Sequence, residues 1–476
     1  MQRQTVNVHN KTFEPVEVSS FQNAYSGNVA DRLSIRPARN ENASYSNVNI
    51  TPRRIRMKAF IVDDFAAIIG IDWADKKHDI CELKVDTRDY HYSVILNTPQ
   101  AIAEWAISIK QRYPDKPVAV ACELTKGPLI NALIQHKHLV LFSINPSTVA
   151  KYRKAFVHSG AKDDPSDALV QNELLEHHMN KLTPIQLDTV DVRILAQLVE
   201  YRRKLVQSRV DLSNRLTGLL KNYYPQVLEW FKEKDTVVFC DFLERWPSLS
   251  EVKKARQQTL LNFFNAHKSQ YSIVNKGRID GIKQARALTD DDGVIIPNQI
   301  MVGILALQFK QMIKAIEILE REIKRRYKTQ KDKPIFDSFP GAGPQLAPRL
   351  LVAFGTNRER YQSAAELQKY SGVAPVIERS GQKSWTHWRY SCPKFLRQTF
   401  VEWAGQSVRF SFWAKAYYDQ QKSIGKPHNT IIRSLAFKWI RIVFRCWKNS
   451  TPYDESKYLE ALRLKGSPLL KFAAGG

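Results

Sequence analysis

Hydrophobic and polar positions follow two different periods along this chain. From about residue 65 to 185, short apolar runs alternate with amphipathic stretches. The runs Ala67–Trp73, Asp79–Val85, Tyr90–Leu96, Val118–Cys122 and Leu139–Ile144 predict strands, because they are short, apolar and bounded by turn residues. Pro99–Tyr113 and Pro128–His136 carry the helical period between the third, fourth and fifth strands. With a further helix starting near Asp164, the predicted order is βββαβαβα.

Beyond residue 187 the period becomes helical throughout. Residues 188–224 read as one long helix ended by Pro225, with Leu198, Leu205, Leu212 and Leu219 seven apart. A second runs from about 300 to 328, where Val302, Leu305, Phe309, Met312, Ile316, Leu319 and Ile323 step by three and four. Such heptads predict an antiparallel coiled-coil hairpin, within or between subunits; core helices of a bundle would show the same spacing. The aromatic and charged insert 226–299 predicts further helix. From 330 to about 455 a second compact, mainly helical domain opens with Phe339-Pro-Gly-Ala-Gly-Pro344 and the apolar run Leu346–Phe354. Residues 1–60 are rich in Asn, Ser and Arg and predict a disordered extension; 456–476 reads as a loose tail. The expected units are therefore 61–187, 188–329 and 330–455.

Composition narrows the partners. The 476 residues hold 72 Lys+Arg against 47 Asp+Glu, a net charge of +25, which favours polyanions and above all nucleic acid. No signal peptide and no 18-residue apolar stretch is read, so a spanning protein is not expected. The five scattered cysteines form no Cys-x-x-Cys pair, which argues against a zinc ribbon or disulfide framework and fits a reducing cytoplasm.

Candidate chemistry lies in four acids. Asp72 ends the first strand run and Glu123 ends the fourth, while Asp164 and Asp167 sit in Lys162-Asp-Asp-Pro-Ser-Asp-Ala168 at the start of a helix. Strand-end carboxylates stand at a sheet edge with rigid backing, and an i, i+3 pair points to one side of a helix. Brought together, the four would repel unless divalent cations neutralised them, and hard oxygen ligands suit Mg²⁺ or Mn²⁺. Two such ions about 4 Å apart clamp an in-line attack on a phosphodiester. The plainer alternative is four solvated surface carboxylates. Asp75 and Asp163 neighbour these positions but are not expected to share their direction. The strand order and the acid placement together match a ribonuclease-H-like fold; a βαβ pattern alone leaves other folds open.

Two further features suit nucleic acid. The turn holding Gly341 and Gly343 would expose backbone N–H groups to a phosphate, as in a helix-hairpin-helix, or would simply be tight. Lys383, Trp385, Trp388 and Arg389, with His387 and Tyr390, interleave basic and aromatic side chains that either stack on bases and sugars or pack into a core. The runs Arg202-Arg-Lys204 and Lys324-Arg-Arg326 are candidate phosphate contacts or solvated helix faces.

Several pieces in order carry a family resemblance: Gly70-Ile-Asp-Trp-Ala-Asp-Lys-Lys77, Cys122-Glu-Leu-Thr125, Lys162–Ala168, Phe339-Pro-Gly-Ala-Gly343, Tyr370-Ser-Gly-Val-Ala-Pro375, Arg379-Ser-Gly381 and Pro452-Tyr-Asp454. Over about 65–455 the chain resembles insertion-sequence transposases with a RuvC-like, DEDD-type N-terminal domain and a serine-containing C-terminal domain, described as bridge-RNA-guided DNA recombinases. The resemblance implies that Asp72, Glu123, Asp164 and Asp167 bind two Mg²⁺ or Mn²⁺ ions and that Ser380 is the nucleophile of a covalent phosphoserine intermediate; Ser384 and Ser391 lie close enough to be mistaken for it. It also implies double-stranded DNA at element ends and target, a structured guide RNA, a homodimer or homotetramer whose composite sites draw on different subunits, and a prokaryotic cytoplasm with no membrane partner. Two other functions stay open: a junction resolvase hydrolysing DNA on the same fold, and a non-catalytic nucleic-acid scaffold.

Overall fold

A computed structural model describes residues 60–123, 126–156, 164–267 and 272–470, with Asp164 and Ser272 described by their backbone alone. The expected N-terminal extension up to residue 59, and Lys162 and Asp163, lie outside the described residues.

Five strands form one mixed sheet: β1 (Ala67–Trp73), β2 (Lys77–Lys84), β3 (Tyr90–Leu96), β4 (Val118–Cys122) and β5 (Leu139–Ser143), in the order β3-β2-β1-β4-β5. β1, β4 and β5 run parallel, while β2 and β3 fold back antiparallel beside β1. Helix α1 (Pro99–Arg112), capped by the Thr98 hydroxyl and opened by Pro99, and helix α2 (Pro128–Leu133) cover one face. There they enclose Ala67, Ile69 and Ile71 with Val118 and Val120. Helices α3 (Pro146–Phe156) and α4 (Asp164–His178) cover the other, over Ile68, Ala119, Ala121 and Phe142. A strand covered on both faces has no solvent side to make polar, which is why β1 and β4 read as unbroken apolar runs. The strand order is consistent with the ribonuclease-H-like expectation; α3 is an addition to it.

The long helices α5 (Val190–Tyr223) and α11 (Asp292–Lys328) pack against each other in antiparallel sense within the one chain: Arg202 bonds Glu320, while Leu212, Leu216 and Leu220 share a core with Val302, Leu305 and Phe309. The heptad leucines are not one continuous seam. Val192, Leu195 and Val199 are buried at one end and Leu212, Leu216 and Leu220 at the other, while Leu205 between them is only half-buried. A straight helix at 3.6 residues per turn drifts off a seven-residue repeat, and here each end joins a different core. α11 begins at Asp291's cap, eight residues before the expected start, and carries Pro297 inside its second turn. It contains a stretch long and apolar enough to cross a membrane, which corrects the expectation of none; Val302, Leu305, Ala306 and Phe309 of that stretch are buried among protein side chains.

Between the long helices, α6 (Gln226–Trp230), α7 (Val237–Arg245), α8 (Leu249–Lys254), α9 (Gln257–Ala266) and α10 (Ser272–Gln284) build an aromatic core around Phe231, Phe242 and Phe264. The C-terminal region comprises α12 (Lys333–Asp337), α13 (Gly343–Phe354), α14 (Ala364–Tyr370), α15 (Lys394–Ser407), α16 (Phe412–Ser423), α17 (His428–Lys448) and α18 (Glu455–Leu464). Trp403, Trp413, Trp439 and Trp447 fill its centre. The expected loose tail is a packed helix as far as it is described: Glu455 accepts bonds from the Ser411 hydroxyl and the Trp413 N–H, and Tyr458 lies 5.1 Å from the Trp413 ring. One element was not foreseen, a two-stranded hairpin of β6 (Val376–Ser380) and β7 (Lys383–His387).

Candidate active site

Register places the first two acids. β1 and β4 pair in parallel as far as Ile71 opposite Cys122, so Asp72 and Glu123 are the next residues on neighbouring strands. Parallel strands lie about 4.8 Å apart, and matched positions point to the same face. Asp72 therefore continues the Ile68–Gly70 face, the one covered by α4.

Helix α4 comes close because Gly70 has no side chain. A Cβ there would overlap the Ala168 carbonyl oxygen and lie 2.6 Å from the Asn172 nitrogen. One turn further along, the buried Asn172 amide donates to the carbonyls of Ile68 (2.7 Å) and Cys81 (2.9 Å). Asn172 thus sits over Ile68 and Ala168 over Gly70, so α4 runs antiparallel to β1. Four helical residues advance about 6 Å, the rise of two strand residues. The next step brings the backbone of Asp164 level with Asp72. Asp167 lies in the first turn of α4, where the helix dipole favours a carboxylate, and is 6% exposed. Its carboxylate pairs with the Arg153 guanidinium of α3, a residue with no motif to mark it in sequence.

Asp72, Glu123 and the start of α4 are thus assembled at one end of the sheet. Asp72, Glu123 and Asp167 all hold interactions within the protein. Among the described residues no three His, Cys, Asp or Glu side chains form a ready-made coordination group. The donor set offers oxygen ligands only, with Asp72 and Glu123 on adjacent strands, and such hard donors suit Mg²⁺ or Mn²⁺; Asp167 is already paired with Arg153. Asp75 lies exposed in the β1–β2 turn, outside any helix, and does not stand one turn from Asp72.

Ser380 ends β6 and faces Lys383 across the first rung of the hairpin. Gly381 at φ 57° and the absence of a positive φ at Gln382 give a two-residue turn of the II′ kind, with glycine in its first central position. Ser380, Gly381 and Lys383 are all exposed. Among the described residues Ser380 shares no hydrogen bond with the acids of the sheet. The pairs 380/383, 378/385 and 376/387 occupy one face of the ribbon. On that face the Glu378 carboxylate accepts from Trp385 Nε1 (2.8 Å) and His387 Nε2 (2.7 Å). The hydrogen bond from His387 holds Glu378 below the usual carboxylate range, and Glu378 holds His387 above its ordinary value. Trp385 is 47% exposed and Tyr390 80%, so neither is core. Trp388 is covered on one side by Arg433, whose guanidinium carbon lies 3.3 Å from the ring centroid, and Arg389 is partly buried.

The glycine turn divides in function. Gly341 (φ 73°) is pressed on the end of α15, where a Cβ would meet the Gln406 carbonyl carbon at 2.9 Å, so its backbone serves packing. Gly343 (φ 52°) opens α13 with space around it. The basic runs are largely engaged: Arg202 with Glu320, Arg203 with Glu200 and Gln398, Arg325 and Arg326 with Glu322.

The structure thus combines a mixed sheet with acids at the carboxyl ends of its central strands and a helical region bearing an exposed serine hairpin. A transposase family model of the DEDD, IS110 type matches residues 69–225, and a model described as transposase IS116/IS110/IS902 family matches residues 333–419. A putative transposase of the IS117 mini-circle from Streptomyces coelicolor is 26% identical over 87% of this chain and 99% of its own length. An uncharacterised protein of insertion element IS110 from the same organism is 26% identical over 64% of this chain and 76% of its own length. A protein of insertion element IS900 from Mycobacterium paratuberculosis is 25% identical over 81% and 96%. The two models together span about half of the chain, and the chain belongs to the IS110/IS116 family of transposases.

Proposed function

We propose that this protein moves an insertion element by cutting and rejoining DNA through Ser380, with divalent cations at the acidic site and a structured RNA choosing the sequence. The observation that carries the reading is the pairing of two unlike sites in one family member: adjacent carboxylates Asp72 and Glu123 beside the start of α4, and an exposed serine beside a Cβ-less residue. Membership of the transposase family supports DNA as the substrate and a bacterial cytoplasm as the setting.

Asp72, Glu123, Asp164 and Asp167 would hold Mg²⁺ or Mn²⁺, which supplies charge neutralisation at the scissile phosphate. The Ser380 hydroxyl stands at an exposed hairpin tip where a phosphodiester can approach, and Gly381 leaves room for the backbone of the strand. Lys383, directly opposite, is placed to meet a phosphate oxygen. In the proposed step a bond forms between Ser380 Oγ and phosphorus while the bond from phosphorus to the leaving sugar oxygen breaks. The proton lost by the serine is balanced by the one gained by the leaving hydroxyl. Attack by a different strand's hydroxyl reverses the step, restores Ser380 and keeps the diester's energy for joining. Among the described residues Ser380 shares no hydrogen bond with Asp72, Glu123 or Asp167, and in this proposal the working site draws its serine and its acids from two or more subunits. Trp385, Trp388, Arg389 and the open turn at Gly343 are the proposed contacts to the nucleic-acid backbone and bases.

The test is a denaturing gel of the purified protein with Mg²⁺, element-end DNA and the RNA that copurifies with it. A protein–DNA adduct is expected with the wild type and is lost in both Ser380→Ala and Asp72→Asn. Free nicked DNA from Ser380→Ala at the wild-type rate would mean hydrolysis, and the strand-joining reading would fall in favour of a nuclease. Unchanged cleavage by Asp72→Asn would remove the acidic site from the mechanism.

A further inference from the structure

The sheet carries a carboxylate that the four-acid pattern omits. In the antiparallel pairing of β1 with β2, Asp79 is the direct partner of Asp72. Cross-strand partners share a face, with Cβ atoms about 5 Å apart. Asp79, Asp72 and Glu123 therefore form one row across three strands, on the face covered by α4.

Asp79 is 4% exposed, and burying an ionised carboxylate is costly unless it is well paired. The contrast with Glu82 on the same strand is informative. Glu82, 1% exposed on the opposite face, accepts bonds from Arg112 Nη1 and Tyr113 Oη, each 2.6 Å. That is a closed structural network. Lys77 Nζ donates to Asp79 Oδ1 at 3.4 Å and pairs with Oδ2 at 3.1 Å, where no hydrogen bond of normal geometry forms. Lys77 is itself half exposed, at the mouth of the β1–β2 turn. A buried acid beside Asp72, paired with one half-exposed lysine, is poorly explained as a stability feature.

We propose that Asp79 is a further acidic residue of the divalent-cation site and that Lys77 occupies its charge when no cation is bound. This rests on the metal reading of Asp72 and Glu123. Cation binding displaces the Lys77 ammonium from Asp79 and turns it toward the solvent edge, where a substrate phosphate would arrive. Asp79 acts either as a ligand or by holding Asp72 in place; both add negative charge to the row.

The test uses the full-length protein and Mn²⁺ alone, with free Mn²⁺ measured by electron paramagnetic resonance, so that no DNA cleavage is involved. Asp79→Asn is expected to weaken Mn²⁺ binding about tenfold or more. Lys77→Met, at an exposed position, is expected to tighten it about threefold or more, since a competing charge is removed. Opposite signs are the signature; an ion pair serving only stability would lower the thermal midpoint in both variants and shift neither affinity. Asp72→Asn is the reference. If it abolishes binding while Asp79→Asn and Lys77→Met leave affinity unchanged, the proposal is overturned and the acidic site stands. If Asp72→Asn also changes nothing, the metal reading itself fails and takes this inference with it. Should Asp79→Asn not fold, unchanged affinity in Lys77→Met is sufficient to reject the proposal.

Discussion

Gly70 decides how closely α4, and with it Asp167, approaches the strand that carries Asp72. Its missing Cβ lets the backbone of α4 lie on β1, and the bonds from Asn172 then set the level of every residue toward Asp164. Gly70→Ala should push α4 outward and cost about 1–3 kcal/mol, the usual range for overpacking a filled core. A urea midpoint unchanged from the wild type would show that α4 accommodates the methyl group and that the close approach is not needed. The placement of the four acids at strand ends and a helix start was legible because the signals are local: Asp72 and Glu123 end apolar runs, and Asp164 and Asp167 repeat at a helical spacing. Asp79 and Arg153 were not, because each gains its meaning from a partner on another element. Asp79 needs the β1–β2 register, and Arg153 needs α3 to lie beside the first turn of α4.

At the scale of elements, the hairpin of β6 and β7 shows what sequence patterning misses. Most of its residues are exposed on both faces, so no alternation of apolar and polar positions marks the strands. The available signal was the turn, a glycine in the first of two central positions. Its order comes instead from the face bearing Glu378, Trp385 and His387, and that makes it pH-sensitive. His387 is raised by its bond to Glu378, so the pair is complete below the ordinary value of 6.5 and is lost as pH rises through the raised one. Glu378 is lowered by its bond from His387, so the pair is complete above 4.5 and is lost as pH falls through the lowered value. The face is therefore intact from about pH 4.5 to somewhat above 6.5. An NMR titration should find the His387 ring titrating above 6.5, and lower than in the wild type in Glu378→Gln, where only the bond to the Trp388 carbonyl still raises it. Titration at or below 6.5 in the wild type would mean the pair does not form in solution. The long helices were read correctly as antiparallel partners, but the heptad count concealed that their two ends serve different cores.

For the whole molecule, charge is the dominant property, and the structure limits where it can act. The net +25 is carried over a chain in which Arg202, Arg203, Arg325 and Arg326 are already paired internally. Contact with phosphates must then come mainly from other cations, among them Lys383 beside Ser380. Phosphate contact carries affinity without sequence choice, and its hallmark is steep loss of binding with salt. Were six to ten phosphates engaged, affinity would fall about 10³–10⁵-fold between 50 and 200 mM salt. If base pairing by an RNA supplies the choice of site, the protein freed of nucleic acid should bind element-end and scrambled duplexes equally, both with that steep slope. Adding the copurified RNA should restore preference for the element sequence. Fluorescence anisotropy across a salt series separates the cases. Protein-only discrimination of about a thousandfold or more, the usual range for base-reading proteins, would place sequence recognition in the chain and remove the need for a guide.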